Sequence, residues 1–473
     1  MFFRLNDRIL FRQYTEFGYL TDNSMFGYRF LNEDNLSVRE KYISESGSVM
    51  LGMLSRTPQD LDSIVRKLIK VFTDVDYETL RQDTLEFFIY LASEGYLCCG
   101  ESSEACNSFG HGSYNFASAV SEDYISEPYN FLRSIHVETT TLCNERCLHC
   151  YIPHGYKNKL IDPLLLYKIL EEGRAMNIIN VTFSGGEPMM HPEFLSFLRR
   201  SRELDLSVNV LTNLTLLTRE IIAEMANNPM LSVQTSLYSM NADVHDSITQ
   251  LRGSFEKTKS AVLKLLSQGI HLQISCPIMK HNKDSFSSVI EWAGANNIPA
   301  AVNHVIFASY DNSNTNLVNR LSIDDLSVVI DKQISADYVS SLRETAREKY
   351  LLTGDSPICS VFRYYLCVSA DGDVFPCAGW QSKKVGNLRT QTIREIWEEA
   401  SEVRYLRQIK RRDFPKCVSC EDRGYCTVCM MVNANENSGD IFRISDFHCR
   451  AAAMTRAKIN SYGCNYHQGC SRE

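Results

Sequence analysis

Three cysteines stand close together in the stretch Cys-Asn-Glu-Arg-Cys-Leu-His-Cys, at Cys143, Cys147 and Cys150. The spacing of three and then two intervening residues lets three thiolates from one loop converge on one iron–sulfur cube. Such a cube keeps a fourth iron without a protein ligand, and an open iron can bind a small molecule. Structural zinc is the alternative, but zinc sites are closed by four ligands and commonly use two separated Cys-x2-Cys pairs. The spacing therefore favours a cluster with an open iron.

A second candidate is the turn Ser184-Gly185-Gly186-Glu187-Pro188. Glycine lets the backbone approach a ligand more closely than any residue with a side chain. Taken alone, the motif is also what a simple turn looks like. Its position at the end of a predicted strand, beyond the cysteine loop, favours a ligand-binding role.

The C-terminal region holds further cysteines with ligand spacing, enough for two four-ligand clusters. A pair of zinc ribbons is the alternative, because Cys-x2-Cys knuckles commonly bind zinc. The other cysteines lack ligand spacing, and we expect most of them to be inert. The cysteines with ligand spacing are Cys359, Cys367, Cys377, Cys417, Cys420, Cys426, Cys429 and Cys449. Those without it are Cys98, Cys99, Cys106, Cys276, Cys464 and Cys470.

The elements around these motifs alternate between predicted strands and predicted helices. Six βα units predict an α/β fold with a parallel, partly closed barrel, whose chemistry sits at the C-terminal ends of the strands. The cysteine loop follows the first strand and the glycine turn ends the second, so both lie at that end. The predicted strands are 134–140, 180–183, 207–211, 231–237, 271–278 and 300–307.

The regions outside the barrel have different patterns. Strands followed by three helices predict a small α+β winged helix at the N-terminus, and a long helical stretch over 323–349 leads to the cysteine-rich end, which we expect to need metal to fold. The predicted organisation is 1–98 winged helix, 99–130 linker, 131–335 barrel, 336–355 bridging helix, 356–455 cysteine-rich domain and 456–473 tail.

Composition excludes several classes of protein. The 473 residues are 44% hydrophobic and 22% charged, an ordinary globular mixture. The net charge of −8 disfavours a general binder of nucleic acid or anionic membranes. No apolar run is long enough to span a membrane, and the charged N-terminus lacks a signal peptide. We therefore expect a cytoplasmic chain, in which 17 cysteines indicate metal or redox chemistry rather than disulfides.

At the cysteine loop the chain resembles the radical S-adenosylmethionine (SAM) superfamily, whose hallmark is Cys-x3-Cys-x2-Cys after the first barrel strand. The resemblance implies a [4Fe–4S] cluster whose open iron is chelated by SAM, and cleavage of SAM to methionine and a 5′-deoxyadenosyl radical. It carries the SAM-binding Gly-Gly-Glu motif onto Gly185, Gly186 and Glu187. It also implies cofactor contacts from Ser236, from Arg252 and from the backbone of His149. No catalytic base follows from it.

The C-terminal cysteines resemble the SPASM extension of peptide-modifying radical SAM enzymes, which implies two auxiliary [4Fe–4S] clusters and three clusters in all. The usual spacing before the sixth cysteine of the knot is one residue longer than here, so Cys464 or Cys470 could replace Cys429. By this resemblance the nearer cluster is held by Cys359, Cys367, Cys377 and Cys429, and the farther one by Cys417, Cys420, Cys426 and Cys449.

The N-terminal unit resembles the precursor-peptide recognition element that captures a leader peptide as an added strand. It has fifteen acidic and eleven basic residues over positions 1–97, which makes it a poor DNA binder. A structural cap on the barrel is the alternative. Together the three parts imply a maturase of ribosomally made peptides that forms Cys-to-carbon thioethers, served by a low-potential donor such as flavodoxin or ferredoxin. Carbon–carbon crosslinking and sulfatase-type side-chain oxidation remain the alternatives.

Overall fold

A computed structural model describes residues 1–23, 26–31, 40–108 and 131–462. At the N-terminus, antiparallel strands form two sheets in the orders β5-β1-β6 and β2-β3-β4, with helices beside them. Residues 26–30 contain no strand. The elements are β1 (Phe2–Leu5), β2 (Leu10–Gln13), β3 (Gly18–Thr21), β4 (Glu40–Ile43), α1 (Glu45–Leu51), β5 (Gln59–Asp60), α2 (Leu61–Leu68), α3 (Tyr77–Ser93), β6 (Leu97–Gly100) and α4 (Ser103–Ser108).

The helices of this unit begin where capping chemistry starts them. The side chain of Asp60 accepts a hydrogen bond from the Ser63 amide ahead of α2, and that of Asp76 accepts one from the Thr79 amide ahead of α3. Apolar residues at helical spacing then face a core of their own. The unit is therefore α+β, as predicted, and its assignment as a winged helix stays a prediction.

The β2-β3-β4 sheet lies between that core and the next domain, and it buries both faces. On β3, Leu20 packs into the core beneath the helices, whereas Tyr19 packs with Ile179 and Met230. This alternation follows from the strand geometry, in which successive side chains point to opposite faces. We call β2-β3-β4 the adapter sheet, because one face packs on the N-terminal core and the other packs on the next domain.

Polar contacts fix the second face of the adapter sheet. The buried Arg12 donates from Nε to the Ile178 carbonyl at 2.8 Å and pairs with Asp205 at 3.2 Å. The Ser207 hydroxyl donates to Asn23 Oδ1 at 2.8 Å. Residues 178, 205 and 207 lie at the N-terminal ends of barrel strands, so the sheet covers the end of the barrel opposite to its chemistry.

The barrel consists of six parallel strands in the order β12-β11-β10-β9-β8-β7, as predicted. Helix α8 was not predicted, because its mixed polar sequence gives a weak pattern. The elements are β7 (Ser134–Thr140), α5 (Pro163–Ala175), β8 (Asn180–Gly185), α6 (Phe194–Glu203), β9 (Ser207–Leu211), α7 (Arg219–Ala226), β10 (Leu231–Ser236), α8 (Ala242–Thr249), α9 (Ser254–Ser267), β11 (His271–Pro277), α10 (Ser287–Ala295) and β12 (Ala300–Asn303).

The C-terminal region continues the same sheet, since β13 pairs in parallel with β7 and is followed by the antiparallel β14 and β15. The predicted helical stretch over 323–349 consists of two helices, because Ile334 is extended and Ser335 caps a new start, and the second helix begins at residue 336, where the bridging helix was predicted to begin. The elements are α11 (Ile323–Gln333), α12 (Ala336–Leu351), β13 (Tyr365–Val368), β14 (Asp373–Phe375), β15 (Gly386–Asn387), α13 (Ile393–Glu399), α14 (Ser401–Gln408), α15 (Pro415–Val418), α16 (Met430–Glu436) and α17 (Asp446–Ser461).

Candidate active site

The loop that carries Cys143, Cys147 and Cys150 leaves the C-terminal end of β7 without regular secondary structure. Its backbone is fixed from two sides. The amides of Arg146 and Leu148 donate to the carbonyls of Thr249 and Ile248 at the end of α8, at 2.9 and 3.0 Å. Helix α8, which the apolar periodicity did not reveal, therefore holds the backbone of this loop through the carbonyls at its end.

Two asparagines hold the other side of the loop. Asn319 Nδ2 donates to the Leu148 carbonyl at 2.7 Å, and Asn316 Nδ2 donates to the His149 carbonyl at 3.3 Å. Sequence reasoning missed both residues because they lie about 170 positions away along the chain, with no local motif around them. Their contacts make the loop rigid before any ligand binds.

The three cysteines are half-buried on one loop. Burial raises the pKa of Cys143 to about 12. It also raises the pKa of Cys147 well above its ordinary value, with further contributions from the charges of Glu145, Cys150 and Cys143. Buried thiolates are unfavourable without a compensating cation, and a coordinated metal supplies that charge. The donor set therefore fits the cluster that the fold family implies.

The Gly-Gly-Glu turn lies against the cysteine loop. The amides of Gly186 and Glu187 donate to the carbonyls of Thr140 and Leu142, both at 2.7 Å. A Cβ on Gly186 would lie 2.1 Å from the Leu142 carbonyl oxygen. Gly185 has a φ of 118°, a conformation that side chains disfavour. Both glycines are therefore needed where this turn meets the cysteine loop. The sequence analysis related these glycines only to the close approach of a ligand.

The Glu187 side chain is fully buried and faces inward. Its carboxylate accepts hydrogen bonds from Thr212 Oγ1 at 2.7 Å, from the Asn213 amide at 2.7 Å and from the Met189 amide at 3.1 Å. Burial raises the pKa of Glu187, and these three donors oppose that shift. In this arrangement the side chain ties β8 to the end of β9.

The other predicted cofactor residues are placed differently from one another. Ser236 ends β10 two residues before the buried Tyr238, whose ring meets the His149 ring edge-on at 5.3 Å. His149 Nδ1 is buried with no hydrogen-bond partner, as a polar atom awaiting a ligand would be. Arg252 is exposed between α8 and α9 and makes no ion pair within the described residues. Contact of these residues with SAM stays a prediction.

The eight C-terminal cysteines fold into two sets. In the inner group (Cys359, Cys367, Cys377 and Cys429), charges on Cys429 and Cys359 add to burial in raising the pKa of Cys377, and Cys377 does the same for Cys367. In the outer group (Cys417, Cys420, Cys426 and Cys449), the pKa of Cys426 rises to about 11 through burial and the charges of the other three. The assignment of these two groups as ligand sets stays a prediction, and Cys464 and Cys470 lie outside the described residues.

Within the described residues, no group of three or more His, Cys, Asp or Glu side chains is arranged around one point as for a single metal ion. Nor does any helix of the described chain have the length and apolar character to cross a membrane.

Glu138 is a buried carboxylate of the barrel that lies near the inner group, and the sequence analysis did not identify it. Glu138 on β7 accepts hydrogen bonds from Gln381 and from the Tyr151 hydroxyl, the latter at 3.4 Å. Burial raises the pKa of Glu138 to about 7. Since Gln381 is more than two hundred positions away, only the folded chain brings this contact together.

Replacing Gly186 with Ala is expected to weaken SAM binding at least tenfold, or about 1.4 kcal/mol. The added Cβ would overlap the Leu142 carbonyl, so the turn and the cysteine loop must move apart. Anaerobic calorimetric titration of the reconstituted protein with SAM measures the change. Gly155→Ala is the matched control, since a Cβ there meets no atom within 4 Å. Equal affinity of the Gly186 variant and the wild type would contradict the expectation.

Comparison with known families identifies the class of protein. Residues 137–293 match the Radical SAM superfamily, and residues 359–422 match the SPASM iron-sulfur cluster-binding domain. The chain therefore contains a radical SAM domain followed by a SPASM domain.

Particular relatives are distant. An AdoMet-dependent heme synthase of Methanosarcina barkeri is 25% identical over 63% of this chain and 91% of its own length. A PqqA peptide cyclase of Ruegeria pomeroyi is 24% identical over 56% of this chain and 73% of its own. The structure of Streptococcus suis SuiB bound to precursor peptide SuiA covers 94% of this chain and 99% of that one, with 14% identity and a TM-score of 0.59. Native anSMEcpe with bound AdoMet covers 71% of this chain and all of that one, with 16% identity and a TM-score of 0.55. The last two show a shared fold.

Proposed function

We propose that this enzyme installs crosslinks in a ribosomally synthesised precursor peptide, with a thioether from a peptide Cys to a carbon of another residue as the first choice. The observation that carries the proposal is the three-part layout of the chain. The fold shared with SuiB leaves only about 6% of this chain outside the match, so it includes most of the N-terminal unit. SuiB itself was crystallised with a precursor peptide.

The N-terminal unit is proposed to hold the leader of that peptide. It contains two three-stranded antiparallel sheets, and the outer strands of each pair with no further strand among the described residues, so an added strand could pair there. The unit packs on the end of the barrel away from the cysteine loop, so a bound leader leaves the reacting end open. A purely structural role for the unit is the alternative.

Three [4Fe–4S] clusters and SAM are the proposed cofactors. When bound, the cluster at Cys143, Cys147 and Cys150 together with SAM supplies the 5′-deoxyadenosyl radical that removes a hydrogen atom from substrate. The residues of the chain orient and shield this chemistry. Asn316, Asn319 and α8 fix the cysteine loop, and the glycine turn closes against it. The inner and outer groups are proposed to hold the auxiliary clusters.

Two of the alternatives have relatives among known proteins. The relatives named PqqA peptide cyclase support a crosslink within a peptide, of which a carbon–carbon bond is the alternative form, and the fold of anSMEcpe is shared over 71% of this chain. Relatives named for haem synthesis match 63% and 68% of this chain. A peptide substrate is preferred because it gives the N-terminal unit a role. A flavodoxin or ferredoxin is the proposed electron donor, in the reducing cytoplasm that suits thiolate ligands.

Coexpression with a short cysteine-containing peptide from a neighbouring reading frame is expected to give a product lighter by two hydrogens per crosslink. One hydrogen atom leaves with deoxyadenosine, the thiol loses its proton and the remaining electron passes to an auxiliary cluster, so one Cys becomes resistant to alkylation. Mass spectrometry before and after alkylation measures both effects. A two-hydrogen loss with every Cys still alkylatable would exclude the thioether and favour carbon–carbon linkage or desaturation. An unchanged peptide beside a modified sulfatase would overturn the peptide-maturase proposal.

A further inference from the structure

The outer group is surrounded by basic side chains that donate to its own loop. Lys349 on α12 donates from Nζ to the Cys426 carbonyl at 3.2 Å and to Thr427 Oγ1 at 3.1 Å. Arg423 donates to the Cys420 carbonyl at 3.3 Å. Arg411 lies close enough to Cys417 and Cys426 that its charge and theirs affect one another. Three cations therefore face one set of four thiols.

None of these three cations has a carboxylate partner within the described part of the chain. Arg411 Nε is also buried with no hydrogen-bond acceptor among those residues. Two like charges held together in a partly buried place are unfavourable unless an anion lies beside them. A thiolate-ligated cluster is such an anion.

Carboxylates near the outer group do not cancel these cations. Asp422 and Asp446 act on Cys449, the exposed member of the group. Asp422 is already paired with Arg456 at 2.5 Å, so its charge is largely neutralised. The side facing Cys417 and Cys426 therefore keeps a positive balance.

The surroundings of the inner group are less positive and more deeply buried. The buried Glu138 acts on Cys367, whereas the charge of Glu436, which acts on Cys429, is largely neutralised by Arg320. Arg363 is the cation that acts on Cys359. Cys367 is also fully buried, whereas Cys449 of the outer group is exposed. The potential of an iron–sulfur cluster rises with nearby positive charge, hydrogen bonds to its sulfurs and exposure to water.

We infer that Arg411 and Lys349 hold the outer cluster at a higher reduction potential than the inner cluster, so that an electron shared by the two rests on the outer one. Reduction adds one electron and no proton to the cluster, and the cations stabilise that added negative charge. The inference rests on the assignment of auxiliary clusters in the proposed function. It makes the outer group an electron reservoir at the surface of the molecule.

The test is a redox titration followed by electron paramagnetic resonance on full-length protein in which Cys143, Cys147 and Cys150 are all Ala, so that only auxiliary clusters contribute. The signal lost on Cys420→Ala identifies the outer cluster. Arg411→Gln and Lys349→Gln are each expected to lower its potential by at least about 59 mV, a tenfold change in the one-electron equilibrium constant. Arg411→Lys, which keeps the charge, should restore most of the difference.

Arg412→Gln is the matched control. Arg412 is the next residue, and its exposed side chain pairs with Asp355 at 2.5 Å, so the same change of charge should leave both potentials unaltered. An outer potential below the inner one, or an Arg411→Gln variant with full iron and an unshifted potential, would overturn the inference alone. Zinc instead of iron in the outer group would overturn the inference together with the cluster assignment.

Discussion

Replacing Cys143, Cys147 and Cys150 together with Ala is expected to remove about four of about twelve irons and to abolish SAM cleavage. The three thiols share one half-buried loop, and the charges of Cys143 and Cys150 act on Cys147. The loop should keep its backbone contacts with α8 and with the two asparagines, since none of these uses a thiol. Iron analysis after anaerobic reconstitution and chromatography of deoxyadenosine measure the two effects.

The matched control removes three other cysteines, Cys98, Cys99 and Cys106, which lie in the N-terminal unit. Iron content and SAM cleavage should then stay at wild-type levels in folded protein. Stoichiometric zinc with little iron in the wild type would contradict the cluster assignment. Retention of all the iron by the variant at Cys143, Cys147 and Cys150 would contradict the assignment of a cluster to the cysteine loop.

Replacing Cys377 with Ala should separate SAM cleavage from product formation. The inner group should lose its cluster, about four irons, while the cysteine loop on β7 stays intact. Deoxyadenosine should still appear, but the crosslinked peptide should not, because the substrate must give up a second electron after it loses a hydrogen atom. The ratio of deoxyadenosine to product, measured by coupled chromatography and mass spectrometry, should rise steeply.

A variant at Cys276 serves as the control for this second experiment. Cys276 is buried in β11 and donates weakly to the Tyr238 carbonyl at 3.9 Å, so Cys276→Ala should keep both activities. Normal crosslinking by the Cys377 variant, at reduced iron content, would show that the inner cluster is not required. Loss of deoxyadenosine together with product would point to a barrel that no longer folds.

Local sequence predicted the barrel well because its strands are short buried runs between caps and turns. Strands β7 and β9 begin and end where the apolar pattern places them. The pattern failed where a contact outweighs local preference, as at Ser335, whose side chain starts a new helix within an apparently continuous one. The pattern also failed for α8, which lacks a strong apolar stripe and holds the cysteine loop through the carbonyls at its end.

The residues of the candidate site also fall into those that the sequence predicts and those that only the fold brings together. Cysteine and glycine motifs are visible in sequence because coordination and close approach demand particular residue types at fixed spacing. Glu138, Gln381, Asn316 and Asn319 are ordinary polar residues whose roles come from contacts across more than a hundred positions. No spacing rule within one segment can report such contacts.

The adapter sheet β2-β3-β4 bears on how far the N-terminal unit can be treated as an exchangeable module. Because Tyr19 and the buried Arg12 belong to the barrel side while Leu20 belongs to the helical side, a cut at a domain boundary near residue 98 would strip the barrel of a surface that it buries. A chimaera should therefore keep the sheet and exchange the helices alone. In evolution, too, new peptide specificity could arise in those helices without disturbing the fold that performs the chemistry.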